Sequence, residues 1–135
     1  MHSDTRYLNG KKFETIVGGH RIITDQPVAG GGTDAGPTPP ELLLASLGSC
    51  AGHYAVEYLQ ARSLDAMDLE IRVAAAKGAS PARLASFRIE VNVPGIDERH
   101  QQGLLRAVKT CLIHNTLLTG PTLEVVVTAA QTLSV

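Results

Sequence analysis

The sequence contains no tryptophan, and aromatic residues make up only 4% of its 135 positions. Nor is there an excess of one charge: 12 Lys+Arg stand against 13 Asp+Glu, a formal net charge of −1. A nucleic-acid binder normally carries a basic field and rings on which bases stack, so both absences argue against one. Two cysteines, Cys50 and Cys111, are too few for the disulfide framework of a small secreted domain. The opening residues hold no apolar h-region, so no signal peptide is read there. The most apolar stretch, Glu41 to Leu59, contains Glu41, His53 and Glu57 and falls short of a membrane span. The expectation is a soluble cytoplasmic protein with no nucleic-acid or membrane partner. Its length supplies one core and is short for two, which predicts a single domain over residues 1–135.

What is present is a chain punctuated by 13 glycines and 7 prolines. Tyr7 to Asp25 reads as extended segments with a turn at Asn9-Gly10 and a second turn or bulge at Gly18-Gly19, leaving His20 to Thr24 as a strand. The Gly/Pro-rich loop 27–40 resembles a phosphate loop only superficially, because no lysine follows its glycines and Pro39 and Pro40 lack N–H groups. Thr38-Pro39-Pro40-Glu41 has the form of a capping box with proline in the first turn, and predicts a helix from there to about Arg62. That helix is apolar around most of its circumference, as expected of one enclosed by other elements. Its centre, Gly48-Ser49-Cys50-Ala51-Gly52, is all small residues. Two interior glycines cost about 1 kcal/mol each relative to alanine, so a close approach by another helix or a ligand is expected.

Leu69–Ala76 and Arg83–Val93 alternate apolar and polar residues, the pattern of two antiparallel strands with one face on a core. A second helix is expected from Ile96 to about Cys111, with Leu104, Leu105, Val108 and Leu112 on one face, and Leu123–Ala129 reads as a final Val-rich strand. Hairpin, long helix, hairpin, helix, strand is an α+β order.

A thiol is the only plausible nucleophile, since no Ser-His-Asp or H-E-x-x-H arrangement occurs. Cys50 and Cys111 read either as a dithiol pair or as two buried thiols acting as small hydrophobes. Each is followed three residues later by a histidine, His53 and His114, so a Cys2His2 metal site is a further reading, although neither half begins with the usual pair of close cysteines. His53 and Glu57 fall on the helical stripe of Cys50. His53 could lower the thiol pKa and Glu57 could orient it; the plainer alternative is an i, i+4 contact on a helix surface. Cys50 sits mid-helix and gains nothing from an N-terminal dipole, which calls for a cation from elsewhere.

Gly36-Pro-Thr-Pro-Pro-Glu-Leu-Leu-Leu-Ala-Ser-Leu-Gly-Ser-Cys50 resembles the G-x-x-P-x-E-L-L-L-A-A-L-G-x-C helix of the OsmC/Ohr family of thiol-dependent peroxidases, and Cys111-Leu-Ile-His114 resembles its C-P-V-H segment. Gly19-His20 and Asp25-x-Pro27 are similar to the shorter OsmC-like members, and the element order agrees over essentially the whole chain. The resemblance implies an α+β OsmC-like fold, with antiparallel sheets from both chains wrapped around two long central helices in an intertwined homodimer. It implies no cofactor and no metal. By resemblance Cys50 takes the place of the peroxidatic cysteine and Cys111 that of the resolving one, with organic hydroperoxide as substrate and a small or protein dithiol as reductant. Arg21 is the candidate activating cation and Glu41 the candidate acid; His53, Glu57 and His114 are possible auxiliaries. Pro40 occupies the family's acidic position, with Glu41 one residue later, and Leu112 stands where the family has proline. The alternatives are a non-enzymatic protein of the same fold that binds a small apolar ligand, or a metal binder using the Cys/His pairs.

Overall fold

A computed structural model of the chain describes residues 1–129. Three strands, β1 (Ser3–Asn9), β2 (Lys12–Val17) and β3 (His20–Thr24), form an antiparallel meander in that order. Both turns fall near the expected glycines. The first is centred one residue later than predicted, on Gly10-Lys11, because a register irregularity between Tyr7 and Asn9 brings Asn9 opposite Lys12. In the second, Gly18 and Gly19 both have positive φ (55° and 78°), as a two-residue hairpin loop matching strand twist requires. Helix α1 (Pro39–Gln60) follows, then a two-stranded antiparallel sheet of β4 (Glu70–Gly78) and β5 (Arg83–Asn92), then helices α2 (Glu98–Val108) and α3 (Leu112–Thr119).

The capping box at the head of α1 forms as the sequence predicts: Glu41 N donates to Thr38 Oγ1 at 3.4 Å, and Thr38 N donates to Glu41 Oε1 at 3.1 Å. One line of α1 is buried, Leu47, Ala51, Ala55 and Leu59, at the i, i+4 spacing of a helix face. Ala51 and Ala55 join Leu104 and Val108 of α2 in the core, with Ile71, Ile89 and Val91 of the sheet packed against them. The close approach expected at the glycines is made by a strand: a Cβ on Gly48 would lie 3.3 Å from Val73 Cγ2, and one on Gly52 would lie 3.7 Å from Ile71 Cγ1. The opposite line, Ala45, Ser49, His53 and Glu57, is exposed. Among the described residues, the all-round enclosure of this helix is therefore not achieved.

Two sequence expectations are corrected. The second helix does not run from Ile96 to Cys111. It ends at Val108, where Thr110 folds back, its N–H and hydroxyl both donating to the Ala107 carbonyl (3.1 and 2.6 Å), and Cys111, with ψ of 131°, starts a new helix. Leu123–Ala129 forms no strand: among the described residues it has no neighbouring strand to pair with, and Leu123, Val125, Val126 and Val127 are exposed. A strand exists only through its partner's hydrogen bonds, so a good strand sequence alone is not enough.

The loop joining β3 to α1 is built around Asp25, which is 1% exposed. Its carboxylate accepts from Gln26 N (2.8 Å), Thr33 N (3.1 Å), Thr33 Oγ1 (2.8 Å) and Ala35 N (3.1 Å). These amides are thus taken by an internal anion, the physical reason the loop does not act as a phosphate cradle. Gly36 passes so close to the Ile23 carbonyl that an added Cβ would overlap its oxygen and carbon. Gly36→Ala is expected to displace the loop and cost about 1–3 kcal/mol, read as a lower urea midpoint at unchanged slope.

Candidate functional site

The break after α2 lets α3 lie against α1 with its first turn over Cys50. Cys50 is half-buried on α1, and Cys111, the N-cap of α3, is fully buried at 0% exposure. The two thiols lie near enough to act on one another's ionisation, and the backbone amides of Ile113 and Leu112 act on that of Cys50 as well. Cys111 Sγ accepts in turn from His114 N at 3.5 Å. The sequence shows two cysteines 61 positions apart; the fold brings them together where α3 begins against α1.

The surroundings set the two thiols apart. Burial pushes the Cys50 thiol up, but the Cys111 hydrogen bond and the Ile113 and Leu112 amides outweigh it, and its pKa falls below the ordinary thiol value. Burial pushes Cys111 up, and so do its hydrogen bond to Cys50 and the negative charge there, against the opposing amides of His114 and Ile113. Cys50 is therefore the first of the pair to ionise, and Cys111 is held as the thiol. This corrects the expectation that a mid-helix cysteine gains nothing from a helix N-terminus. The N-terminus comes from a different helix, and it exists only because the chain breaks before Cys111.

The other candidates stand elsewhere. Arg21, on β3, is engaged by Glu14, whose carboxylate also takes Arg6 Nη2 at 2.9 Å. Those two guanidiniums, the Arg21 hydrogen bond foremost and against the opposing effect of burial, hold Glu14 below the usual carboxylate range. Glu41 is committed to the α1 cap; its hydrogen bonds from the Thr38 hydroxyl and backbone lower its pKa against slight burial. His53 Nε2 lies 3.3 Å from Glu57 Oε1 with both side chains exposed, the plainer of the two readings. The His114 ring turns to Asn115 Oδ1 at 3.3 Å. Among the described residues no group of three or more His, Cys, Asp or Glu side chains could hold a metal ion, so the two Cys/His pairs do not assemble into a Cys2His2 site.

Sequence reasoning missed the amides of Leu112 and Ile113, and the only available signal was a missing proline at position 112. It also missed Asp25 as the centre of its loop, whose partners Thr33 and Ala35 carry no local pattern.

Residues of β5, α2 and α3 line an open groove of about 1110 Å³, Leu47, Val91, Leu104, Val108, His114 and Leu118 among them. No helix among the described residues is long and apolar enough to cross a membrane.

Solved structures of the same fold include a candidate osmotic stress induced and detoxification response protein from Psychrobacter arcticus, 23% identical, with a TM-score of 0.76 over 84% of this chain and 85% of that one. An organic hydroperoxide resistance protein OsmC from Legionella pneumophila is 16% identical, with a TM-score of 0.61 over 86% and 87%. The organic hydroperoxide resistance protein OhrB of Bacillus subtilis is 21% identical, with a TM-score of 0.58 over 88% and 90%. At these identities the likeness is one of fold. No curated protein matches the sequence. The family profile described as OsmC-like protein matches residues 31–126, a span that runs from the Asp25-centred loop through both cysteines to the Val-rich segment after α3. The chain belongs to the OsmC-like protein family.

Proposed function

We propose that this protein is a thiol-dependent peroxidase that reduces organic hydroperoxides with Cys50 and Cys111. The observation carrying this reading is the asymmetric pair that the fold brings together: a half-buried thiol whose pKa is lowered and a fully buried one whose pKa is raised. The Cys50 thiolate gives an electron pair to one peroxide oxygen, the O–O bond breaks, and the alkoxide leaves and takes a proton, so sulfur is oxidised to sulfenic acid and the peroxide is reduced to an alcohol. With the charge on Cys50 gone, one of the influences that held Cys111 protonated disappears. Cys111 then attacks the Cys50 sulfur, water leaves, and a disulfide forms. An external dithiol, itself oxidised to a disulfide, returns both cysteines to thiols. Arg21 and Glu41 serve the meander and the helix cap in this reading.

The working form in this proposal is a homodimer in the cytoplasm, where thiol reductants are maintained. Leu105, Leu112 and Leu118, like the segment containing Val125 and Val127, expose large apolar side chains that a second copy can cover. Sedimentation is expected to give twice the 14.3 kDa of one chain, and a stable monomer at micromolar concentration would count against it.

The deciding experiment is one equivalent of cumene hydroperoxide added to reduced protein, followed by peptide mapping without reductant. A Cys50–Cys111 disulfide is expected. Unreacted thiols would replace the peroxidase reading with that of a non-enzymatic protein binding an apolar ligand in the groove.

A further inference from the structure

Among the described residues, the backbone of α2 lies along α1 and along no other helix or strand to a similar extent. The core between these two helices gives little direction. Ala51 and Ala55 of α1 meet Leu104 and Val108 of α2, and methyl groups against aliphatic side chains favour burial without fixing where one surface stops along the other. The directional contact is made by Tyr58. Its hydroxyl and His100 Nδ1 share a hydrogen bond at 3.2 Å, and among the described residues no other side-chain hydrogen bond or ion pair joins α1 to α2. The tyrosine fits there because residue 103 is glycine: a Cβ at that position would overlap the Tyr58 hydroxyl and come within 2.7 Å of its Cε2 and Cζ. An interior glycine weakens a helix relative to alanine, and here the space it leaves is filled by the ring. Arg62 completes the seat, with its guanidinium carbon 3.7 Å from the centre of the Tyr58 ring and its Nη1 donating to the Tyr58 carbonyl at 3.1 Å. We propose that Tyr58 is a positioning residue for the thiol pair: seated on Gly103 and tied to His100, it sets where α2 lies along α1, and through α2 where Cys111 is presented to the helix that carries Cys50.

The connection from this seat to Cys111 has little slack. Beyond the end of α2 the N–H groups of Lys109, Thr110 and Cys111 each donate back into the helix, to the carbonyls of Leu105, Ala107 and Val108, all at 3.1 Å. A displacement of α2 is therefore passed on to Cys111. A disulfide closes only when the two Cα atoms come within about 4.4–6.8 Å with suitably directed Cβ bonds, so a small shift of α2 changes how readily the pair closes. Tyr58 itself takes no part in the chemistry: at 1.5 Å of rise per residue it stands about 12 Å along α1 from Cys50.

This role rests on Cys50 and Cys111 acting as the redox pair of the proposed function, but its test needs no peroxide. Wild type, Tyr58→Phe and His100→Ala are each equilibrated with mixtures of reduced and oxidised glutathione, in which the two protein thiols are oxidised to a disulfide as glutathione disulfide is reduced to two thiols. Acid quenching, iodoacetamide labelling and peptide mapping then give the fraction of Cys50–Cys111 bridge. A loss of stability common to the dithiol and disulfide forms leaves this equilibrium unmoved, so the readout separates positioning from support of the fold. Tyr58→Phe keeps the ring and removes the hydroxyl, and should lower the equilibrium constant for bridging about fivefold, the size of one hydrogen bond. His100→Ala should lower it by a similar factor, and the double variant no further, because both lose the same bond. A constant in Tyr58→Phe and His100→Ala equal to wild type or higher overturns the inference, as does the absence of a Cys50–Cys111 bridge in wild type. If the variants bridge less readily as described but wild type leaves cumene hydroperoxide unreduced, the positioning role stands and the peroxidase reading fails.

Discussion

Cys50→Ser should consume no organic hydroperoxide even in the first turnover, a loss of at least about a thousandfold, because a serine hydroxyl at neutral pH has neither the charge nor the polarisability of a thiolate. Cys111→Ser should behave differently. Its first equivalent of peroxide should be consumed, after which Cys50 stays as a sulfenic acid open to further oxidation, since no second thiol condenses with it. Single-turnover kinetics with mass analysis of each variant separates the two outcomes. The first-turnover rate should rise with pH and level off at a midpoint below that of an ordinary thiol, because burial of Cys50 is outweighed by the Cys111 thiol and the Ile113 and Leu112 amides. Full activity in Cys50→Ser would defeat the mechanism.

Asp25→Asn should lower the melting temperature by about 5 °C or more. The wild-type carboxylate receives four hydrogen bonds, three from backbone amides and one from the Thr33 hydroxyl. Burial alone would raise its pKa, but those donors bring it down to about 2 from an ordinary 3.8. The folded value is the lower one, so the stabilisation is fully present above the unfolded pKa and disappears as pH falls through about 2. Wild type should lose stability between about pH 4 and 2, and in Asp25→Asn that part of the acid profile should flatten. The same substitution should loosen the connection between β3 and α1, because Asp25 N also donates to the Pro37 carbonyl at 3.2 Å, one residue before the helix cap. A melting temperature and acid profile equal to wild type would show that the loop holds without its buried charge.

The length of α1, its capping box, the two hairpin turns and the alternation of β4 and β5 were legible in the sequence, because each depends on residues within a few positions of one another. A capping box spans four residues and a strand face repeats every two, so local stereochemistry dictates them. The residues left the pairing of Cys50 with Cys111 as one of two readings and only the resemblance favoured it, since no local rule joins positions 61 apart. Three things were decided by tertiary structure alone. The chain breaks at Thr110 where periodicity would carry the helix on. That break turns the head of α3 toward a thiol on α1, supplying the electrostatic partner that sequence reasoning sought in a distant arginine. And Leu123–Ala129, the most strand-like run after β5, finds no partner strand within the described chain and stays irregular. The physical division is one of range: propensity and capping act over one or two turns, whereas a thiol's charge and a strand's hydrogen bonds depend on what the fold brings alongside.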